Sequence, residues 1–293
     1  MYRDSMKLSA VLRLTRIEHS LMLVIAVLAA ELISGGLPSL PVLALSLITP
    51  IFISMASFAI NDYFDVEVDR ANHKRDRPIV SGELSRCDAL YISYACVVIG
   101  IFASLFINPY AFLIAAAFGV LAMLYSYKLK ETLLLGNIYI GLSMAIPFIY
   151  GDYVVSTHLY TSIALVSVMI LLSGLAREIH GTVRDFKGDR KRGVASLPRF
   201  IGRQGASGVA LVLYAIAIII SVYLLAYVSP FKGNLAYMGV VALADAMLAY
   251  VSIGYLVRGT RDFYKLARNV SLAAMALALI AILVAPLTFG LLG

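Results

Sequence analysis

Nine apolar stretches, each long enough to cross a lipid bilayer, constrain this chain more than any other feature of its sequence. About 17 to 25 apolar residues cross roughly 30 Å of hydrocarbon as a helix. Backbone polar groups find no water in that layer, so the spans are expected to be helical. We predict an all-α membrane protein, a bundle of nine transmembrane helices around a central cavity, with spans near 19–36, 41–60, 88–107, 109–127, 133–151, 158–176, 207–229, 235–257 and 269–291.

The placement of the basic residues gives the direction of the chain through the membrane. All of the 24 Lys and Arg residues except Lys232 fall in the amino-terminal segment or in alternate loops between the predicted spans. Because positively charged loops face the cytoplasm, we expect a cytoplasmic amino terminus, an external carboxyl terminus and a cavity that opens to the cytoplasmic face. We expect 1–293 to form a single polytopic transmembrane domain in the cell membrane, with its active site on the cytoplasmic side.

The net charge of +7 has the same explanation. The chain is 61% hydrophobic and only 14% charged, which is more apolar than a soluble domain. The surplus of positive charge then reflects membrane orientation and nearby anionic head groups. We therefore expect the bilayer as the surroundings of this chain and no nucleic acid among its partners.

A stripe of oxygen-bearing side chains begins where the second apolar stretch ends. Asn61, Asp65 and Asp69 recur at intervals of four, so on a helix they lie on one face. Such a cluster repels itself without a cation, and hard oxygen ligands suit Mg²⁺ or Ca²⁺. Asp62 and Glu67 point elsewhere on the same helix and are weaker candidates. The alternative is a solvated helix end whose acids are neutralised by the bases that follow.

A second acidic pair, Asp185 and Asp189, has the same spacing of four. The two sets of acids belong to the two long cytoplasmic loops that we expect at 61–86 and 177–206. Two carboxylate clusters on separate helix ends can face each other across a cavity and hold metal ions. Surrounding bases suit a polyanion, since Mg²⁺ is usually held by a few carboxylates together with substrate phosphates. The pattern indicates a diphosphate ester with an apolar tail, although alone the second pair also fits an ordinary basic loop.

The residues and spacing of these motifs resemble those of the UbiA-type intramembrane prenyltransferases. The resemblance extends along most of the chain and depends on the segments Asn61-Asp-x-x-Asp-x3-Asp69, Asp76-Arg-Pro-Ile79, Ser81-Gly82, Tyr125-Ser126 with Lys128 or Lys130, Asp185-x3-Asp189, Gly193 and Ser196-Leu-Pro198. The sequence departs from the family pattern at Thr182, where relatives often have an aspartate. We therefore do not count Thr182 as a metal ligand.

The resemblance implies Mg²⁺-dependent transfer of a prenyl group from an allylic diphosphate to an acceptor. The catalytic residues and metal ligands that it implies are Asn61, Asp65, Asp69, Asp185 and Asp189. The substrate-binding residues that we expect are Arg16, Arg70, Arg77, Tyr125, Lys128, Lys130 and Arg192. The bases would donate hydrogen bonds to the diphosphate, and the face of Tyr125 would stabilise an allylic cation.

The sequence leaves alternatives for the acceptor and for the class of protein. The Arg-Glu-Ile segment at 177–179 and the Asn-Asp-Tyr-Phe-Asp segment at 61–65 are more similar to archaeal ether-lipid enzymes, whose acceptor is geranylgeranylglyceryl phosphate. An aromatic acceptor such as 4-hydroxybenzoate, as in quinone biosynthesis, is the alternative. A cation transporter is a more remote one, because its acids would be expected near the middle of the membrane rather than at loop ends.

Overall fold

The computed structural model describes residues 2–132, 135–191 and 195–289 of the chain. Within that part the regular structure is helical throughout, with a single 3₁₀ turn at Leu129–Glu131. In chain order the α-helices are α1 (Tyr2–Thr15), α2 (Ile17–Ser34), α3 (Leu40–Ala71), α4 (Pro78–Ser81), α5 (Arg86–Leu105), α6 (Pro109–Tyr127), α7 (Leu135–Val155), α8 (Thr161–Lys191), α9 (Leu197–Tyr227), α10 (Leu235–Val257) and α11 (Arg261–Phe289).

Nine of the described helices are long and apolar enough to cross a membrane, which confirms the predicted number of spans. They are α2, α3 and every helix from α5 to α11, with the candidate span of α8 ending at Phe186. Because lipid replaces water around such helices, many of their large apolar side chains are exposed. The all-α membrane fold is confirmed, while the cytoplasmic opening of a central cavity stays a prediction.

The two segments predicted as long loops are largely helical, so the loop assignment was wrong, whereas the helix expected for Asn61, Asp65 and Asp69 is confirmed. Helix α3 continues to Ala71 and α8 continues to Lys191, well past the apolar stretches that end near 60 and 176. The residues from 61 to 71 contain no Gly or Pro, so the helix continues until the chain turns at His73, whose φ is 54°. The acidic stripe therefore lies on the last turns of a spanning helix.

The chain divides into two compact units. Unit 1 comprises Met1–Val27 and Leu37–Lys130, and unit 2 comprises Leu28–Gly36 and Glu131–Gly293. In unit 1, α3 packs against α5 and α6, and α1 packs against α3 and α4. A buried apolar cluster beneath the acidic end of α3 joins these helices through Ala10, Leu14, Ala59, Val66, Ile79, Leu84 and Ala89. The single domain expected over 1–293 stays a prediction.

Unit 2 is built on close contacts between neighbouring helices. Helix α8 packs against α7 and α9, and α10 packs against α9 and α11. Gly254 on α10 leaves room for the Phe263 ring of α11, because a Cβ atom there would lie 2.0 Å from Cζ of Phe263. Gly141 on α7 and Gly174 on α8 let these two helix backbones approach, since a Cβ atom on Gly174 would lie 3.2 Å from Cα of Gly141. The Ser34 hydroxyl donates to the buried Asp152 carboxylate and ties the end of α2 to α7.

Candidate active site

Asp62 is the central acid of unit 1, although its position on α3 made it a weaker candidate in the sequence. Its residue is only 2% exposed, and its Oδ1 accepts from Nη2 of Arg16 at 2.7 Å and from Nη1 of Arg77 at 3.1 Å. The same Arg77 nitrogen lies 3.3 Å from Oδ2. A buried carboxylate with two arginine partners is the arrangement expected for a buried charge.

Arg16 reaches this carboxylate because of a break in the chain between α1 and α2. Its φ of 46° lies in the left-handed region, which residues with a side chain seldom adopt. The guanidinium carbon of Arg16 also lies 4.6 Å from the ring centre of Phe58, one turn before Asp62 on α3. The strained backbone is thus held by an ion pair and a cation–π contact, and it directs the predicted substrate residue into the acidic cluster.

Asp65 and Asn61 lie side by side on α3, as their spacing indicated. Nδ2 of Asn61 donates to Oδ2 of Asp65 at 3.0 Å, and Nζ of Lys130 donates to Oδ1 of Asp65 at 2.5 Å. Lys130 comes from the 3₁₀ turn that follows α6. A predicted phosphate-binding lysine therefore contacts a predicted metal ligand directly.

Asp69 completes the row one turn further along α3. It is buried, its Oδ1 accepts from Nζ of Lys74 at 2.8 Å, and its Oδ2 lies 3.8 Å from Nε of Arg77. Arg77 is therefore placed between Asp62 and Asp69, and it precedes Pro78, the first residue of α4. Three aspartates of α3 are thus paired with four bases, Arg16, Lys74, Arg77 and Lys130, and we call these residues the acidic cluster.

The segment after α4 fixes the position of Arg77 relative to α1. Gly82 ends α4 with a φ of 81°, a left-handed conformation that glycine adopts without strain. The turn brings Glu83 to Arg13 of α1, with which it forms an ion pair. The hydrogen bond from the Ser81 hydroxyl, together with Arg13, lowers the pKa of the Glu83 carboxyl. The Ser81-Gly82 segment thus connects the chain after Arg77 to α1 through the ion pair between Glu83 and Arg13.

Three of the predicted substrate-binding residues lie outside these contacts. Arg70 pairs with the exposed Glu67 at 3.3 Å, on a side of α3 away from the buried acids. Lys128 is exposed, and Tyr125 is half-buried near the end of α6. A role for these three side chains in substrate binding stays a prediction.

The donor atoms of the acidic cluster fit Mg²⁺. Three carboxylates and one amide oxygen from the end of one helix supply the hard oxygen ligands that Mg²⁺ prefers, and they leave room for water and phosphate. Among the described residues, no group of three or more His, Cys, Asp or Glu side chains is arranged to hold a metal ion. Instead, bases occupy the carboxylate oxygens, so the ion would have to take over oxygens that Lys74 and Lys130 now contact.

The second acidic pair belongs to unit 2 and is only partly described. The Asp185 side chain is 52% exposed and accepts from Nε and Nη2 of Arg184 at 2.8 and 2.6 Å. Arg192 lies outside the described residues, as does the side chain of Asp189. The Thr182 hydroxyl donates to the Ile179 carbonyl of its own helix at 2.8 Å, which agrees with leaving it out of the metal ligands.

The sequence also places Asp62 on a face with Asp65 and Asp69, but the four-residue spacing of Asn61, Asp65 and Asp69 drew attention away from it. Asp62 precedes Asp65 by three and Asp69 by seven, so these three also share a face of a helix. What the sequence could not show was the pair of distant arginines that makes this face the buried one.

The chain that carries this site is similar to proteins of one known family. Residues 22–272 match the model of the UbiA prenyltransferase family. A digeranylgeranylglyceryl phosphate synthase from Archaeoglobus fulgidus is 39% identical over 274 residues, which cover 93% of this chain and 94% of that protein.

Solved structures share the fold. A structure from work on digeranylgeranylglyceryl phosphate synthase in membranes superposes with a TM-score of 0.80 and 28% identity, over 96% of this chain and 99% of its own. A UbiA homologue from Archaeoglobus fulgidus, bound to GPP and Mg²⁺, superposes with a TM-score of 0.63 and 20% identity, over 93% of this chain and 99% of its own. The second likeness, at this identity, concerns the fold alone.

Proposed function

Because this chain belongs to the UbiA prenyltransferase family, we propose that it transfers a geranylgeranyl group from its diphosphate to geranylgeranylglyceryl phosphate, with Mg²⁺ as cofactor. The observation that carries the proposal is the 39% identity, over 93% of the chain, to a protein named for the product of that reaction. The acidic cluster adds chemical support, since its carboxylates and bases are the groups that a metal-bound diphosphate requires.

The residues of α3 would hold the ion. We assign Asp62, Asp65 and Asp69 as its carboxylate ligands, with Asn61 beside them. For Asp185 and Asp189, ligation of Mg²⁺ stays a prediction from the sequence. When bound, Mg²⁺ neutralises negative charge that develops on the departing diphosphate. Asp62 has a further role that the structure itself suggests, because its contacts with Arg16 and Arg77 orient both guanidinium groups.

The bases of the acidic cluster have two tasks in this scheme. Without substrate they neutralise the carboxylates, as Lys130 does at Asp65 and Lys74 does at Asp69. With substrate, the same ammonium groups donate hydrogen bonds to diphosphate oxygens, and Arg77 and Arg16 add planar guanidinium donors. Each base remains close to the acid it leaves, so the exchange needs side-chain movement rather than a change of fold.

The reaction itself exchanges one carbon–oxygen bond for another. The bond between the allylic carbon and the diphosphate oxygen breaks, and its electron pair leaves with the diphosphate. The acceptor hydroxyl oxygen then forms a bond to the allylic carbon and loses its proton. We assign Tyr125 to the wall that faces the allylic cation, where an aromatic ring stabilises positive charge and excludes water.

The location of the reaction also belongs to the proposal. The described helices support a multi-pass membrane protein, and the basic loops support a cytoplasmic amino terminus with the active site on that side. Cys87 is exposed at the start of α5, directly after the segment that carries Arg77, whereas Cys96 is buried. In right-side-out vesicles, a thiol reagent that cannot cross membranes should therefore spare Cys87, and inverted vesicles should be labelled. Labelling of right-side-out vesicles alone would reverse the topology.

The aromatic acceptor has less support than the lipid acceptor, because the relative that matches most of the chain is named for a glyceryl phosphate product. A panel of acceptors tests the choice directly. Purified protein is incubated with labelled geranylgeranyl diphosphate and Mg²⁺, and with either geranylgeranylglyceryl phosphate or 4-hydroxybenzoate. We expect label in the ether lipid only. Prenylation of 4-hydroxybenzoate instead would contradict the proposed acceptor.

A further inference from the structure

Unit 2 contains a cavity that none of the sequence motifs indicated. It lies among α8, α10 and α11 and has a volume of about 240 Å³. Its walls are mostly polar and consist of Arg177, Glu178, His180, Gly181, Arg184, Val251, Tyr255, Ala267, Arg268 and Ser271. A space of this size holds several water molecules, but it is smaller than the usual site of a whole drug-sized ligand.

The charged groups of the cavity leave a surplus of positive charge. Three arginines line it, against the single carboxylate of Glu178, which accepts from Nη1 of Arg177 at 3.1 Å. Arg268 is exposed and forms no ion pair with any residue that the structure describes. The guanidinium of Arg184 is oriented by Asp185, which accepts from two of its three nitrogens. Arginines held in this way are suited to phosphate oxygens.

Polar atoms at the buried side of the cavity lack partners. His180 is only 3% exposed, yet neither ring nitrogen has a hydrogen-bond partner in the described part of the chain, and Nε of Arg177 is buried without one. The imidazole stacks on Tyr255 with 3.8 Å between ring centres and 3° between planes. Tyr255 in turn stacks on Tyr264. Buried polar groups normally have partners, so water or a ligand in the cavity has to supply the partners of these ring nitrogens.

We propose that this cavity, which we call the arginine cavity, binds the phosphate monoester of the lipid acceptor. The inference deepens the proposed function and rests on it. Arg177 is paired with Glu178 and Arg184 with Asp185, so the surplus positive charge that attracts a phosphate group belongs to Arg268. The volume admits a glyceryl phosphate head group but not a twenty-carbon chain, so the apolar tail would remain outside the cavity.

The competing phosphate source is the prenyl diphosphate. That substrate is bound together with Mg²⁺ in the proposed function, and a metal-bound diphosphate needs free carboxylates nearby. In the arginine cavity the only carboxylate, Glu178, is already paired with Arg177. A metal-free phosphate monoester suits such walls better. Arg184 also links the cavity to Asp185, so acceptor binding and the second acidic pair meet on one turn of α8.

Equilibrium binding tests the arginine cavity without any turnover. Full-length protein in detergent is titrated with geranylgeranylglyceryl phosphate, with the same lipid lacking phosphate, and with inorganic phosphate, in the absence of prenyl diphosphate. The variants are Arg268→Gln, Arg268→Lys and the matched control Arg261→Gln, which removes an exposed arginine two turns earlier on α11. Both positions of substitution are exposed, so all three variants should fold.

We expect wild type and Arg261→Gln to bind the phosphorylated lipid at least about tenfold more tightly than its phosphate-free form, as a charge-assisted hydrogen bond implies. Arg268→Gln should lose most of that advantage, and Arg268→Lys should keep part of it. In turnover, Arg268→Gln should raise KM for the acceptor about tenfold while the KM for prenyl diphosphate stays near its wild-type value.

Three results would overturn the inference. One is equal binding by Arg268→Gln and Arg261→Gln. Another is inorganic phosphate that binds as tightly as the lipid and depends on Arg268 in the same way, which would make the cavity a free-phosphate site. The third is a raised KM for prenyl diphosphate instead of the acceptor. If wild type binds the phosphorylated lipid through Arg268 but never prenylates it, the proposed function fails while the phosphate-lipid site stands.

Discussion

The acidic cluster of unit 1 and the arginine cavity of unit 2 differ in how their charged side chains are paired. In unit 1, each aspartate of the motif is paired with at least one base, and the buried Asp62 has two. In unit 2, arginines outnumber the carboxylates around the cavity, and His180 is buried without a hydrogen-bond partner in the described residues. The first site is therefore neutralised from within, whereas the second has polar atoms that only a ligand or water can satisfy.

This difference separates two kinds of binding. A site whose acids already have bases exchanges partners when a metal and a diphosphate arrive, so its affinity depends on the metal. A site with surplus arginines attracts a phosphate directly, and its affinity should not need a metal.

Asp65→Asn should have the largest effect, because it removes a proposed metal ligand and the partner of Lys130. We expect turnover to fall about 100- to 1000-fold, the usual loss when an electrostatic contact to the transition state is removed. Asp189→Asn should show a loss of the same order. Initial rates with saturating substrates measure both, and Glu67→Gln, an exposed acid on the same helix, is the control. Wild-type rates in Asp65→Asn would exclude the acidic cluster from catalysis.

Asp62→Ala should destabilise the protein as well as inactivate it. The change leaves Arg16 and Arg77 without their shared carboxylate, and removal of one partner from a buried ion pair costs about 3 kcal/mol or more. Thermal unfolding in detergent should show a clearly lower midpoint. Glu67→Ala, which loses only exposed ion pairs with Arg70 and Arg86, should change the stability by less than about 1 kcal/mol. Equal midpoints for the two variants would contradict the central position of Asp62.

Gly254→Ala tests the packing of the helices that carry the arginine cavity. The new methyl group would meet the Phe263 ring, and overpacking of this kind costs about 1–3 kcal/mol. Gly239→Ala on the same helix is the matched control, since no atom lies within 4 Å of its Cβ position. That control should be neutral or slightly stabilising. The unfolding midpoints of the two variants measure this difference. A Gly254→Ala variant as stable as the wild type would mean that α10 and α11 are further apart.

Thr182→Val should have the smallest effect. The hydroxyl already donates to the Ile179 carbonyl within α8, so its loss removes no proposed contact with substrate. We expect the rate and both KM values to change by less than about threefold, as for other substitutions away from a site. A loss of more than tenfold, with unfolding unchanged, would show that the hydroxyl acts on substrate or metal.

The sequence was sufficient for the features that depend on local spacing. The nine spans follow from the length of the apolar stretches, and the contact between Asn61 and Asp65 follows from four-residue spacing on a helix. How far α3 and α8 continue as helices was missed, because polar composition was equated with loop structure. Lys, Arg and Glu are good helix formers, so a polar composition does not by itself end a helix.

Features that depend on distant residues were not accessible in this way. Asp62 is buried because Arg16 and Arg77 reach it from other segments, and neither arginine is close in sequence. The arginine cavity joins Arg177 and Arg184 of α8 with Arg268 of α11, which only helix packing brings together. Charges counted along the chain identified these arginines as topology signals and could not reveal that three of them share one cavity.

The most direct test of the proposed enzyme is the dependence of turnover on Mg²⁺. Purified protein with labelled geranylgeranyl diphosphate and geranylgeranylglyceryl phosphate is treated with EDTA, and Mg²⁺ is then added back in steps. We predict no labelled ether lipid in EDTA and full recovery with excess Mg²⁺, because in the proposed function the oxygens of the acidic cluster would bind diphosphate through the metal. Undiminished transfer in EDTA would contradict this account.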